Sequence, residues 1–110
     1  MKWIITADRV SEAGTTFANK KIQANKQWME AYRAACVEAK PHMLEGFKEA
    51  MTDEFQLFDG DDNLCYEGLC LNLDEQNGDN AFEPLDWAEN EAGCTYMMTR
   101  KKGETTWTQL

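Results

Sequence analysis

The chain contains no long hydrophobic run, and its 110 residues include only two prolines and one histidine. No apolar stretch approaches the roughly 18 residues that a membrane-spanning helix needs. The first eight residues hold two adjacent isoleucines and then turn polar, which is less than the apolar segment of a signal peptide. We therefore expect a protein that stays in the cytoplasm and does not enter the membrane.

Residues for nucleophilic catalysis are also scarce. Ser11 is the only serine and His42 the only histidine, so a hydrolytic triad would require these two to meet in the fold. A cysteine nucleophile would need the same histidine, and the chain has no glycine-rich phosphate loop. We predict a non-enzyme with no catalytic residues and no cofactor. A small enzyme that uses cysteine or carboxylates is kept as a third hypothesis.

A metal site is not expected either. The cysteines contain no Cys-x-x-Cys pair, which is the spacing of many structural zinc sites. Without a secretory signal we predict reduced and buried thiols at Cys36, Cys65, Cys70 and Cys94. The segment Asp59-x-Asp61-x-Asn63 matches the start of an EF-hand loop, but Leu64 stands where that loop needs glycine. We therefore predict a hydrated turn there.

Basic residues are absent from much of the second half. Residues 1–50 carry eight Lys/Arg and six Asp/Glu (net +2), whereas residues 51–110 carry three Lys/Arg and fourteen Asp/Glu (net −11). Thirteen acids and no base lie between Asp53 and Glu91. Both signs are normally mixed on a surface that only has to be soluble. On charge alone, the segregation fits a surface that recognises a partner of opposite charge and a merely soluble acidic surface equally well.

The apolar pattern predicts an opening strand, two helices and a hairpin. Residues 2–6 are rich in aromatic and β-branched side chains, which is typical of a strand. From 19 to 52 apolar residues recur at three- and four-residue steps, so we predict two helices separated near Pro41. Alternation over 55–58 and 64–73, around a turn rich in Asp and Asn, predicts the hairpin. The alternation slips at Gly68, where we predict a bulge.

The remaining residues complete a predicted single domain of residues 1–110. We expect an exposed acidic loop at 74–80, a short helix within 82–88, and a last hairpin of strands 94–100 and 104–110. The predicted order is β-α-α-β-β-(short α)-β-β. This is an α+β fold, an antiparallel sheet of about five strands with the two helices packed on one face.

The acidic segment is the predicted partner-binding site. A dense array of carboxylates can imitate part of the field of duplex DNA, which carries a negative charge every ~1.7 Å. Aromatic side chains can lengthen the residence time, and Phe82 and Trp87 are the candidates, although each suits the core equally well. Of the two we assign Trp87 to the site. The predicted site residues are Asp59, Asp61, Asp62, Asp74, Glu75, Asp79, Glu83, Asp86, Trp87, Glu89 and Glu91.

Part of the chain resembles a known group of proteins. The resemblance lies in the order and spacing of Phe55-Gln56-Leu57-Phe58-Asp59-Gly60-Asp61-Asp62-Asn63-Leu64-Cys65-Tyr66-Glu67-Gly68, Pro84-Leu85-Asp86 and Ala92-Gly93-Cys94-Thr95. These segments resemble small uncharacterised acidic proteins of phages and plasmids, over residues 55–96 and the opening strand. The resemblance carries no catalytic residues. It implies the context of a mobile element, whose small acidic proteins are often anti-CRISPR or anti-restriction factors.

Charge and resemblance together predict an inhibitor of a host defence complex. We expect an anti-CRISPR-like protein that covers a basic, nucleic-acid-binding surface, by nucleic-acid mimicry. Its partner would be a protein, with no direct binding to nucleic acid, and the inhibitor would be a monomer or a homodimer. The alternative hypothesis is an interaction or assembly module that forms a homodimer through an edge strand or the helix face of Trp28 and Tyr32.

Overall fold

The computed structural model describes residues 3–10 and 41–110. The strands within these residues are β1 (Trp3–Asp8), β2 (Asp53–Asp59), β3 (Leu64–Cys70), β4 (Cys94–Lys101) and β5 (Thr108–Gln109). The helices are α1 (Pro41–Ala50), α2 (Gly78–Ala81) and α3 (Glu83–Ala92), with a 3-10 turn at Leu73–Glu75. The strands form one antiparallel sheet in the order β1-β3-β2-β4-β5. This confirms the predicted α+β class and five-stranded sheet.

The two faces of the sheet carry different side chains. On β2 the buried Phe55 and Leu57 alternate with the half-buried Glu54, Gln56 and Phe58. We call the side of Phe55 the helix face, because α3 packs there: its Trp87 contacts the rings of Trp3 and Tyr66. The core cluster of this face includes Trp3, Ile5, Phe55, Leu57, Tyr66, Met97 and Ala88. We call the side of Phe58 the second face.

Gly68 of β3 leaves room for an aromatic ring on the helix face. A Cβ at Gly68 would lie 2.2 Å from Cζ of Phe55, so the ring occupies the place of the missing side chain. The predicted bulge at Gly68 is wrong, because Gly68 pairs with Phe55 in register. The β2–β3 register shifts beside Phe58, where Cys65 is the additional residue, and the β1–β3 register shifts at Thr6. The alternation slips there because β3 is buried on both faces: the ring of Phe55 fills the helix-face position of Gly68, and the next residue, the buried Leu69, lies on the second face.

The helix that packs on the helix face is α3, which the sequence predicted only as a short helix within 82–88. It begins with Pro84 in its first turn, where the missing N–H has no helical partner to lose. It ends at Gly93, whose φ of 69° places it in the left-handed region that glycine adopts without strain. Ala88, in the middle of this helix, is fully buried. The predicted helix of residues 19–40, with Trp28, Tyr32 and Cys36, lies outside the described residues.

The predicted loop at 74–80 is more structured than expected. Leu73–Glu75 forms a 3-10 turn and Gly78–Ala81 forms α2. Asn77 caps α2, since its side-chain oxygen accepts a hydrogen bond from the Asn80 N–H at 2.9 Å. The acids of this segment are nevertheless exposed, as the sequence predicted. β3 is correspondingly shorter than the predicted strand 64–73.

The last hairpin agrees with the prediction in its first strand only. β5 spans Thr108–Gln109, so the predicted strand over 104–110 is wrong for most of its length. Trp107, the residue before β5, packs against Arg100 of β4: the guanidinium carbon lies 4.2 Å from the centroid of the Trp107 ring. In the part of the chain that the structure describes, no helix is both long and apolar enough to cross a membrane.

Candidate partner-binding surface

The structure distributes the predicted site acids over two opposite ends of the sheet and one helix. Asp59, Asp61 and Asp62 lie in or beside the β2–β3 turn, which we call the turn end. Asp74, Glu75 and Asp79 follow β3 and therefore lie at the other end, which we call the far end. α3 runs along the helix face from the far end to the turn end. At its start, Glu83 bonds to Trp3, which pairs with Cys70 at the far end. After it, β4 begins opposite Asp59 at the turn end.

Asp59 holds the β2–β3 turn in place. Its carboxylate accepts hydrogen bonds from the backbone N–H groups of Asp61 and Asn63, each at 2.9 Å, and from the Asn63 side-chain amide at 3.2 Å. These bonds to the charged form, led by those from Asn63, lower the pKa of Asp59. The carboxylate therefore has a structural role in the turn in addition to its charge.

Asp62 connects the turn to β4. The Tyr96 hydroxyl donates a hydrogen bond to Asp62 Oδ1 at 2.8 Å. Since this bond stabilises the protonated phenol beside a negative charge, it raises the pKa of Tyr96. Asp62 has a φ of 62°, the left-handed conformation that Asp tolerates in tight turns. The hydrogen bond to the Asp62 side chain therefore ties the Tyr96 ring to the turn.

Two of the predicted acids have partners at the far end. Lys101 Nζ lies 2.5 Å from Asp74 Oδ2 and 3.8 Å from Asp53 Oδ1. The hydrogen bond to Asp74, followed by the charge of Asp53, raises the pKa of Lys101. Glu83 Oε2 accepts a hydrogen bond from the Trp3 indole N–H at 3.1 Å. The carboxylates of Asp74 and Glu83 therefore bind groups of the protein itself.

Three of the four acids of α3 point away from the sheet. Asp86, Glu89 and Glu91 are exposed, whereas Pro84 and Ala88 on the opposite side of the helix are buried. The spacing of apolar residues at positions 84 and 88 puts one face of α3 on the core, so the carboxylates occupy the solvent side. Within the described residues, none of the three forms an ion pair or a side-chain hydrogen bond.

Trp87 lies largely in the core interface. Its ring centroid is 5.9 Å from that of Trp3 and 4.7 Å from that of Tyr66, and the side chain is half-buried. Only the outer part of the ring is therefore accessible to a partner. Phe82, the other aromatic candidate, immediately precedes α3, and its side chain is half-buried.

An aromatic pair on the second face was missed by the sequence analysis. Phe58 and Tyr96 stand opposite each other on β2 and β4, and their rings stack with centroids 5.0 Å apart and an angle of 6° between planes. Both side chains are half-buried. The signal was present in the alternation of β2, where Phe58 follows the buried Leu57 and must therefore face the other side.

The thiols of the described part of the chain are buried. Cys65, Cys70 and Cys94 are free and buried. Burial, with a smaller contribution from Asp53, raises the pKa of Cys70 to about 12, and burial followed by the hydrogen bond with Cys65 raises the pKa of Cys94 to about 12. Among the described residues there is no group of three or more His, Cys, Asp or Glu side chains that could hold a metal ion.

The fold is an α+β sheet protein with acids on both ends of the sheet and along α3. Comparison of the chain with models of protein families, with curated proteins and with solved structures found no match.

Proposed function

We propose that this protein is an inhibitor that binds a basic, nucleic-acid-binding surface of a larger protein. The observation that carries the proposal is the number of predicted site acids with no partner of their own. In residues 3–10 and 41–110, six of these carboxylates make neither an ion pair nor a side-chain hydrogen bond. They are Asp61, Glu75, Asp79, Asp86, Glu89 and Glu91.

Exposed carboxylates without partners favour a basic partner for an electrostatic reason. Like charges on one surface repel one another, and approaching basic side chains relieve that repulsion while they steer the encounter. Recognition of a protein is favoured over nucleic acid, because the phosphates of a nucleic acid would add to the repulsion.

The density of charge indicates how far mimicry of DNA can extend. The ten residues of α3 span about 15 Å, and the helix presents three exposed acids over that length. Duplex DNA of the same length carries about nine charges. α3 thus supplies roughly a third of the charge density of DNA. A negative field of this kind steers the encounter with a basic surface. Apolar contacts must then contribute much of the residence time.

The resemblance of residues 55–96 to acidic proteins of phages and plasmids supports a specific context for this binding. We propose that the partner belongs to a bacterial defence complex that holds nucleic acid, and that the inhibitor acts in the cytoplasm of the host in the manner of an anti-CRISPR protein. Binding would occupy the groove that the nucleic acid needs, without any catalytic step.

Two charge-matched triple variants test the proposal. The first removes the α3 carboxylates by Asp86→Asn, Glu89→Gln and Glu91→Gln. The control removes three exposed carboxylates outside the predicted site, by Glu45→Gln, Glu49→Gln and Glu104→Gln. Both variants lose the same charge. Affinity capture from bacterial lysate, over a salt titration and with competing DNA, is followed by identification of the retained proteins and by a measurement of their nucleic-acid binding.

The expected result is retention of a nucleic-acid-binding protein at low salt, displaced by DNA and by high salt. The α3 variant should lose about tenfold in affinity, since three exposed charge pairs contribute up to ~0.5 kcal/mol each, whereas the control should lose less than about twofold. Retention of no basic nucleic-acid-binding protein at low salt contradicts the proposal. A sedimentation experiment showing a tight homodimer would favour the assembly module instead.

A further inference from the structure

An apolar row crosses three strands of the second face at the turn end. Leu64 of β3 and Tyr96 of β4 both stand opposite Phe58 of β2. All three side chains are half-buried, and Met98, two residues after Tyr96, is half-buried on the same face. We call these four residues the aromatic platform. The core does not account for this part of the second face, because the buried cluster includes none of the four.

The platform is fixed before any partner arrives. The stacked rings of Phe58 and Tyr96 lie 5.0 Å apart and are almost parallel, and the Tyr96 hydroxyl is bonded to Asp62 at 2.8 Å. Asp59 holds the adjoining turn by its three hydrogen bonds. The two rings therefore have few rotamers left to order and lose little entropy on binding.

The charge around the platform is negative. Asp61 and Asp62 are exposed in the adjoining turn. The arginines that the described residues place on this face already have carboxylate partners: Arg9 pairs with Glu67 at 2.8 Å and Arg100 pairs with Glu54. Their charges are therefore largely cancelled locally, whereas Asp61 has no ion pair in the described part of the chain.

Half-buried aromatic rings beside carboxylates match the chemistry of arginine. A guanidinium is planar, stacks on aromatic rings and bonds to carboxylates through several N–H groups, whereas a lysine ammonium is a compact and strongly hydrated charge. We infer that the aromatic platform, with Asp61 and Asp62 at its rim, binds arginine side chains of the basic partner protein. This inference rests on the proposed function and names the side chain that the surface selects.

The alternatives to a basic protein fit the charge less well. A nucleic acid could stack its bases on the rings, but its phosphates would meet Asp61 and Asp62. A second copy of this chain would bring together two molecules of net charge −9, whose mutual repulsion opposes association. Charge complementarity therefore selects a segment rich in arginine.

Two peptides of equal charge test the inference by NMR. One alternates arginine with glycine, and the other has lysine in place of every arginine. Each is titrated into the full-length protein at low salt, and the backbone amide shifts are followed. We expect the largest shifts at Phe58, Asp61, Leu64 and Tyr96. We also expect the arginine peptide to bind about two- to fivefold more tightly than the lysine peptide for each stacked guanidinium.

Three variants and one matched control separate stacking from charge. Tyr96→Leu should abolish the preference for arginine over lysine. Tyr96→Phe keeps the ring and loses only the bond to Asp62, so it should retain most of the preference. If Tyr96→Leu fails to fold, the comparison of the two peptides on the wild-type protein decides the inference. Asp61→Asn should weaken both peptides equally. Asp79→Asn makes the same charge change at the far end and is the matched control, with no effect at the platform expected.

The outcomes distinguish this inference from the proposed function. If both peptides bind equally, or if the shifts fall on α3 and the far end, the platform is not an arginine site although a basic partner is still recognised. If neither peptide binds at low salt, both proposals fail. If the shifts at the platform depend on protein concentration without peptide, its occupant is a second copy of the chain and the inference is overturned.

Discussion

The carboxylate of Asp53 accepts a hydrogen bond from the backbone N–H of Leu73 at 3.2 Å, with only 2% of the Asp53 residue exposed. The same oxygen accepts a hydrogen bond from the Thr52 hydroxyl at 2.6 Å, and Lys101 Nζ lies 3.8 Å from the other oxygen. Thr52 in turn accepts a hydrogen bond from the backbone of Asn72 at 2.7 Å. Asp53 therefore joins the start of β2 to the ends of β3 and β4.

Replacement of Asp53 should strongly destabilise the protein. Asp53→Ala leaves the buried N–H of Leu73 without an acceptor and removes the more distant of the two carboxylates beside Lys101, so we expect a loss of about 2–4 kcal/mol in the free energy of unfolding. Asp53→Asn keeps an acceptor oxygen and should lose less. Urea unfolding measures both, with Asp79→Ala as an exposed control that should change stability by less than about 0.5 kcal/mol. An Asp53→Ala loss no larger than that of the control would contradict the role given to Asp53.

Gly68 should tolerate no side chain. A Cβ there would lie 2.2 Å from Phe55 Cζ and 2.4 Å from the carbonyl oxygen of Ile4, so Gly68→Ala should destabilise by about 3 kcal/mol or more. Gly46→Ala is the matched control: nothing lies within 4 Å of its Cβ position in α1. That change should stabilise by about 0.5–1 kcal/mol, because alanine loses less backbone entropy in a helix.

A second variant checks which contact makes the glycine necessary. Phe55→Leu should relieve part of the clash in the double variant with Gly68→Ala. It should not relieve all of it, because the Ile4 carbonyl belongs to the neighbouring backbone and cannot rotate away. Thermal unfolding of the single and double variants gives the coupling. A Gly68→Ala protein as stable as the wild type would show that the sheet can shift to admit the methyl group.

The sequence could predict elements whose signals are local. The alternation around Phe55 and the turn formers from Asp59 to Asn63 were enough to predict the β2–β3 hairpin, because strand period and turn chemistry act over a few residues. The extent of α3 was not predictable in this way. Its acids interrupt the apolar stripe, and its packing depends on Trp3 and Tyr66, which are far away in the sequence.

The distribution of the site acids could not be predicted because it depends on topology. Their residue numbers give no information on which end of the sheet carries the β2–β3 turn and which carries Asp74. The burial of Asp53 has the same origin, since its partners come from Leu73 and Lys101. The Phe58–Tyr96 pair likewise requires the β2–β4 register. These features therefore depend on long-range strand pairing, which local sequence patterns do not predict.

The described cysteines should resist alkylation in the folded protein. Because burial raises the pKa values of Cys70 and Cys94 to about 12, almost no thiolate forms at pH 8, and the thiolate is the reactive species. We expect no labelling of Cys65, Cys70 or Cys94 by iodoacetamide in native buffer and complete labelling in urea. Peptide mass mapping assigns each site. Rapid native labelling of any of the three would point to an accessible and activated thiol, as the enzyme hypothesis requires.

The hydrogen bonds of Asp59 should make part of the stability dependent on acid pH. Since they lower its pKa in the folded state, the charged carboxylate is favoured by folding. The stabilisation is therefore fully present above the unfolded-state pKa of about 4 and is lost as the pH falls through the folded-state value. Asp59→Asn keeps the size and one acceptor oxygen but removes the charge. We expect its Tm to lie below that of the wild type at neutral pH and the difference to shrink in acid.

The measurement is the difference in Tm between Asp59→Asn and the wild type at neutral and at acid pH. Asp61→Asn is the control. Asp61 is exposed in the same turn, and its carboxylate accepts no hydrogen bond within the described residues, so its replacement removes an equal charge without breaking the turn. Its Tm should differ little from that of the wild type at either pH. If Asp59→Asn lowers the Tm by the same amount in acid as at neutral pH, the charge of Asp59 does not hold the turn. The wild-type protein should therefore open first at the β2–β3 turn on acidification, where protonation removes the charge of Asp59 and weakens the bonds that it accepts from Asn63.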